Sequence, residues 1–283
     1  MARVSFAAVK RVGIALAWML LFAVTGVVVT LVLSRFVPIG GTPWQLVRDV
    51  IYGMIGFLVA TIVVGRVLAQ ESWDRLGWHR PVGSRMVNGT FLGLLMAALA
   101  VGLAFVFDRT RVSLTYDWER WPRVAAWLAV MFVCGALAEE LMFRGFPLRR
   151  LADTIGPLPA MLVMSLGFAA GHLANPNVSP VGVLNIALAG IWLSFAFFSA
   201  GGMALAWGLH FGWNAGLALA FDAPVSGYMF RVPAVEYTPG THAWVDGGTF
   251  GPEGGIVGTI ILIAGILAVI GKRVKQPRTW LAG

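Results

Sequence analysis

Apolar runs close to twenty residues long recur along the whole chain, and no other feature restricts the fold so severely. A helix needs about 20 apolar residues to cross the roughly 30 Å hydrocarbon layer of a membrane. Within that layer only helices and closed barrels satisfy every backbone polar group. Eight runs can be drawn, at 12–33, 50–69, 87–107, 124–143, 157–174, 181–199, 201–220 and 255–271. Charged residues are 12% of the 283 positions, well under the roughly 25% of soluble domains, and the mean hydropathy is +0.80. The expectation is an all-α, multi-pass transmembrane bundle of about eight spans, with residues 1–283 forming a single integral membrane domain. The first run has neither a short apolar core nor a small-residue cleavage site, so it is expected to stay as a helix.

The net charge of +8 does not mark a nucleic-acid surface, because the basic residues are scattered among short connections. Their distribution sets orientation instead. With the N-terminus inside, the inner face carries Arg3, Lys10, Arg11, Arg66, Arg75, Arg80, Arg85, Arg144, Arg149, Arg150, Lys272, Arg273, Lys275 and Arg278. The outer face carries half as many: Arg35, Arg48, Arg109, Arg111, Arg120, Arg123 and Arg231. Both termini are therefore expected in the cytoplasm, and the partner implied throughout is the lipid bilayer, not nucleic acid. Cys134 is the only cysteine, so no intramolecular disulfide forms, and its place in an apolar run suits a small packing residue.

Among the connections, 70–86 has Trp73 and Trp78 among its charges and looks like an interfacial amphipathic piece. The Gly- and Pro-rich stretch 221–253 is expected to be irregular, and Arg109–Arg123 an ordinary solvated loop. His79 and His242 fall in connections and receive no role. Asn185, inside the sixth run, suits a packing amide.

Three polar clusters interrupt the apolar runs. Glu139, Glu140 and Arg144 lie in the fourth run, His172 with Phe168 in the fifth, and His210 with Asn214, flanked by Trp207 and Trp213, in the seventh. A charge in hydrocarbon costs roughly 2.5–3.5 kcal/mol on insertion scales, so such residues face a protein interior or a wet cavity and mark function by default. Glu140 and Arg144 are four apart, acid first, the favourable order for an ion pair on one helix face. Glu139 points about 100° away, lacks a local partner and is left for chemistry.

The helix carrying the acids is expected to run on to about Asp153, with Pro147 as a kink, and to break at Ile155-Gly156-Pro157. Glu139 and His172 are equidistant from that break. In an antiparallel hairpin they lie at one level, about 25 Å from the turn at 1.5 Å per residue. A carboxylate beside an imidazole is a candidate pair for activating water. His210, about 15 Å into its span, has a compatible depth. With Asn214 on the same face it offers donors to a developing oxyanion. Phe168, Trp207 and Trp213 suit the wall of a substrate pocket.

E-E-L-M-F-R at 139–144, F-A-A-G-H at 168–172 and H-F-G-W-N at 210–214 resemble the three motifs of the CPBP family, in order on successive helices. This family comprises the CAAX proteases and bacteriocin-processing enzymes, formerly called the abortive-infection family, and includes the type II CAAX prenyl endopeptidases. The resemblance covers about 120–271, the expected catalytic core. It includes G-G-T-F-G-P-E-G-G at 247–255, which is similar to the segment before the last helix of many bacterial members; L-G-W-H-R-P at 76–81 has the same flavour. It implies an intramembrane endopeptidase of a cell membrane, the bacterial plasma membrane. Glu139 and His172 would activate water, His210 and Asn214 would stabilise the oxyanion, and Glu140 and Arg144 would hold the first acid in place. The best-known members trim three residues from prenylated CAAX proteins, and many bacterial members act on other peptides or have no known substrate, so the resemblance implies a membrane-associated substrate, prenylated or with a leader peptide, without fixing which.

Glu139, His172 and His210 would also make a one-carboxylate, two-imidazole zinc set. The local zinc signature H-E-x-x-H is missing, and the favoured reading is a glutamate-dependent mechanism with no cofactor. The competing class is a non-enzymatic membrane protein, a transporter or proton relay or a scaffold, using the same buried groups.

Overall fold

The computed structural model describes residues 6–36, 44–115 and 117–274. Arg3, Lys275 and Arg278, counted above towards the inner face, lie outside the described residues, as do the side chains of Lys272 and Arg273.

Every predicted run falls on a helical segment. These are α1 (Phe6–Phe36), α2 (Trp44–Ala60, prolonged by a π-helix over Thr61–Leu68), α3 (Val82–Asp108), α4 (Trp121–Phe143), α6 (Pro157–Gly171), α7 (Pro180–Phe197), α8 (Gly202–Ala215, prolonged by a π-turn over Gly216–Ala220) and α10 (Ile256–Val274). Among the described residues five helical stretches are long and apolar enough to cross a membrane: Phe6–Phe36, Gln45–Leu68, Val82–Asp108, Trp121–Ile155 (α4 taken together with the short helix after it) and Pro180–Phe197. Pro157–Gly171 and Ile256–Gly271 are shorter apolar helices. Leu20, Leu31, Phe91 and Phe105 stand exposed on the outer faces. Water would not tolerate so much uncovered apolar surface; hydrocarbon does.

The acid-bearing helix does not run on to Asp153. α4 stops at Phe143, Arg144 caps it, and α5 (Phe146–Ile155) starts afresh with Pro147 in its first turn. Proline is at home there, where its missing N–H would have had no partner. The break is therefore at Gly145, in place of a kink at Pro147. The next turn does fall where expected, at Gly156 with φ +88°. α5 is tied to the 70–81 segment by ion pairs of Arg150 with Glu71 (3.2 Å) and of Asp153 with Arg75.

α8 owes its place to glycine. A Cβ on Gly208 or Gly212 would fall 2.2 Å from the carbonyl oxygen of Met86 or Thr90 on α3. Gly89 and Gly93 of α3 approach the Leu205 and Leu209 carbonyls of α8 in the same way. Such small-residue seams let helix backbones touch inside a membrane, and this one fixes the helix that carries His210.

The connections are more ordered than expected. Arg111–Leu114 (β1) and Val235–Thr238 (β2) pair as an antiparallel ribbon with Arg111 opposite Thr238. The fold is helical, as expected, and among the described residues carries one short two-stranded ribbon that the sequence did not show. Alternation over four residues is too short to read as a strand. The stretch 221–253 also holds α9 (Ala243–Asp246) and two 3-10 turns. Its buried carboxylates organise it: Asp222 accepts from the Val232 amide (2.7 Å), and Asp246 from the Thr110 hydroxyl (3.0 Å). His242 is not free either; its Nδ1 lies 2.7 Å from Asp108 at the end of α3. The 70–81 segment is a turn-rich loop with Leu76 fully buried, and Gly77 accepts from the Met203 amide at the start of α8.

Candidate active site

Glu140 is fully buried and Arg144 nearly so, at 0% and 1% side-chain exposure. The ion pair expected from their spacing is present, Nη1 to Oε1 at 3.1 Å. Arg144 also reaches the Gly190 carbonyl of α7 at 3.5 Å, and its guanidinium lies 4.3 Å from the centre of the Phe168 ring. Glu140 Oε1 has a second partner, His210 Nδ1 on α8, at 2.9 Å. Because a carboxylate only accepts, that contact puts the proton of a neutral His210 on Nδ1 and leaves Nε2 as a lone pair.

Nε2 of His210 lies 3.6 Å from Glu139 Oε2, and that oxygen has no hydrogen-bond partner among the described residues. The imidazole closest to Glu139 is thus His210, not His172 as the hairpin argument had it. His172 caps α6 with its Nδ1 2.8 Å from the Phe168 carbonyl, and no hydrogen bond joins it to Glu139. The uninterrupted helix on which that argument relied is broken at Gly145.

All four groups nevertheless meet around one space. A cavity of about 450 Å³ is lined by Glu139, His172, His210 and Asn214, with Phe168 and Trp213 also in its wall. The Asn214 amide makes no hydrogen bond to another described side chain or backbone group, so it can bond an occupant. Trp207 is the exception among the expected wall residues. It lies outside the cavity and donates its indole N–H to the Val133 carbonyl (2.8 Å), tying α8 to α4. Leu46 and Val50 of α2 complete an apolar side with Met131 and Phe132, so the cavity draws on helices outside 120–271.

Sequence reasoning missed one acid. Glu253, in the turn before α10, lines the cavity and takes the Trp213 indole N–H (2.8 Å), the Ser226 hydroxyl (3.0 Å) and the Ser226 amide. The resemblance had already covered G-P-E-G, yet the acid sits in a connection, where an insertion-cost argument has no purchase. Asn185 is the packing amide expected of it, and its Nδ2 donates to the carbonyls of Glu253 (2.7 Å) and Gly255 (2.9 Å).

Among the described residues no three His, Cys, Asp or Glu side chains gather closely enough to hold a metal ion. Glu139, His172 and His210 as placed do not fit a zinc site.

Residues 121–216 match the family model described as Type II CAAX prenyl endopeptidase Rce1-like. The Rce1-like match opens at the first residue of α4 and closes just after α8, taking in Glu139, Glu140, Arg144, Phe168, His172, His210 and Asn214. Glu253 falls outside it. No curated protein matches the chain.

Proposed function

We propose that this chain is an intramembrane endopeptidase that hydrolyses a peptide bond in a membrane-associated substrate, a prenylated CAAX chain or a leader peptide. The observation that carries the reading is the meeting of Glu139, His172, His210 and Asn214 at one cavity within the Rce1-like match. Residues 120–271 supply its core.

In this reading a water in the cavity lies against the Glu139 carboxylate and the His210 ring, both of which line it. Glu139 takes the proton as the water attacks the scissile carbonyl. A neutral His210 with its proton on Nδ1 has a lone pair at Nε2 and does not donate there. It orients the water first and becomes an oxyanion donor only after gaining a proton, which Glu140 favours from the Nδ1 side. Asn214 Nδ2 is the donor available from the start. His172 Nε2 shares the proton traffic, and the proton held by Glu139 passes to the leaving amine. The apolar wall of Leu46, Val50, Met131 and Phe132 suits a lipid chain or an apolar peptide. The setting is a cell membrane, with a bacterial plasma membrane as the proposed location.

The test is cleavage of a farnesylated peptide ending in a CAAX sequence, and of a leader-peptide library, by purified protein in lipid nanodiscs. Wild type is expected to cleave at least one of them and Glu139→Ala none. Identical processing by both would leave the non-enzymatic alternative standing.

A further inference from the structure

Two segments of the site are joined through one acid, which bonds one of them directly and the other by way of Ser226. The first is the connection after α6, which carries His172; the second is α8, which carries His210 and Asn214. From Glu253 Oε2 the hydrogen bonds pass to the Ser226 hydroxyl and amide, and the Ser226 carbonyl accepts from Asn175 Nδ2 at 2.9 Å. Asn175 lies three residues beyond His172, and its own amide bonds the His172 carbonyl at 3.0 Å. From Glu253 Oε1 the bond passes to Trp213, next to Asn214 and three residues beyond His210, about 4.5 Å along the helix.

Further observations mark this as a built junction. Ser226 holds φ +48°, a left-handed conformation that costs a non-glycine residue energy. The backbone of Glu253 is itself pinned to α7 through Asn185. Every partner of the Glu253 carboxylate is a donor, and no cation pairs with it among the described residues.

We infer that Glu253 is a positioning residue for the peptidase site, fixing the His172 connection against the helix of His210 and Asn214. The inference rests on the endopeptidase reading for its kinetic consequence but not for its structural one. Glutamine at this position has the same shape, but its NH2 must face either the Trp213 indole N–H or the Ser226 donors. Donor then meets donor and one arm of the tie opens. Displacements of about 1 Å can cost about a hundredfold in rate.

The experiment compares wild type, Glu253→Gln and Ser226→Ala in nanodiscs, with the farnesylated CAAX peptide as probe and hydrogen exchange as a second readout. Glu253→Gln should lower kcat at least about tenfold with KM little changed, and Ser226→Ala should do the same to a smaller extent. In Glu253→Gln amide exchange should quicken in 172–178 or in 206–216, according to which arm the glutamine NH2 opens. Wild-type kcat per folded molecule, or a change confined to KM, overturns the inference; the latter makes Glu253 a substrate contact. Unchanged exchange in both segments also overturns it. Should wild type cleave no probe, the peptidase reading falls while the exchange data still decide the tie, and unchanged exchange then refutes it. If Glu253→Gln does not fold, Ser226→Ala is judged by the same criteria.

Discussion

Arg144 never reaches the cavity, yet it neutralises the acid that orients His210. Its guanidinium is enclosed between Glu140, the Gly190 carbonyl and the Phe168 ring. Removing one partner of a buried pair leaves the other charge uncompensated and costs about 3–5 kcal/mol. Arg144→Ala should therefore lower the thermal unfolding midpoint sharply, with Arg144→Lys recovering part of the loss because lysine has charge without the planar fork. Glu139 behaves oppositely. Its Oε2 has no partner to lose, so Glu139→Gln should leave the midpoint unchanged while cutting cleavage by about 10²–10⁴. A midpoint that falls with activity would make Glu139 a structural acid. The spacing of Glu140 and Arg144 was enough to foresee their ion pair, since residues four apart share one helix face. The bond from His210 to Glu140 was not legible, because it spans 70 residues and obeys no local period.

At the level of elements, α8 is placed by a glycine seam that allows no side chain on its α3 face. Gly212→Val would drive a branched side chain into the Thr90 carbonyl, with its Cβ alone 2.2 Å away. The expected outcome is separation of α3 from α8, seen as loss of monodisperse protein in detergent, whereas the same change at Gly102, where a Cβ meets nothing within 4 Å, should be tolerated. The ribbon end of the molecule gives a pH prediction. Burial, only partly offset by the Val232 amide and Arg231, raises the pKa of the Asp222 carboxyl above its ordinary 3.8, and Glu236 adds to the rise. The folded state then binds the proton more tightly than the unfolded chain, so stability falls as pH rises from 3.8 through the raised value. Asp222→Asn can keep an acceptor for Val232 and should unfold at a higher temperature than wild type at neutral pH, the two converging at acidic pH. A constant gap at all pH values would sink this account. The sequence showed where α8 and the 221–253 connection lie, since apolar runs and Gly-Pro clusters are local signals. It could not show that the connection is tied down by its acids, because Asp222, Glu253 and Asp246 look the same as solvated loop carboxylates until their donors are in place.

For the whole molecule the open quantity is how many helices cross. Residues 74 and 244 are separated by α3, α4, α6, α7 and α8, an odd number. If each crosses, the two positions face opposite sides of the membrane; if the short α6 or the glycine-seamed α8 enters and returns, they share a side. α6 has 15 residues, about 22 Å of helix against a hydrocarbon layer of about 30 Å, so it crosses only by relying on its flanks or a thinned bilayer. The charge bias favours a full crossing: the connection around 244 carries Asp222, Glu236, Asp246 and Glu253 against Arg231, whereas the inner connections are rich in arginine. The lone cysteine makes the test clean. In a Cys134→Ser background, Trp244→Cys and Asp74→Cys both place a thiol at an exposed position. A membrane-impermeant maleimide added to intact cells should label position 244 and spare position 74 until the membrane is opened. Labelling of both from outside would mean that one of the five segments turns back, which would overturn the eight-span count and open the His172 or His210 helix to one face. The reverse pattern would keep the crossings and invert the protein, placing both termini outside.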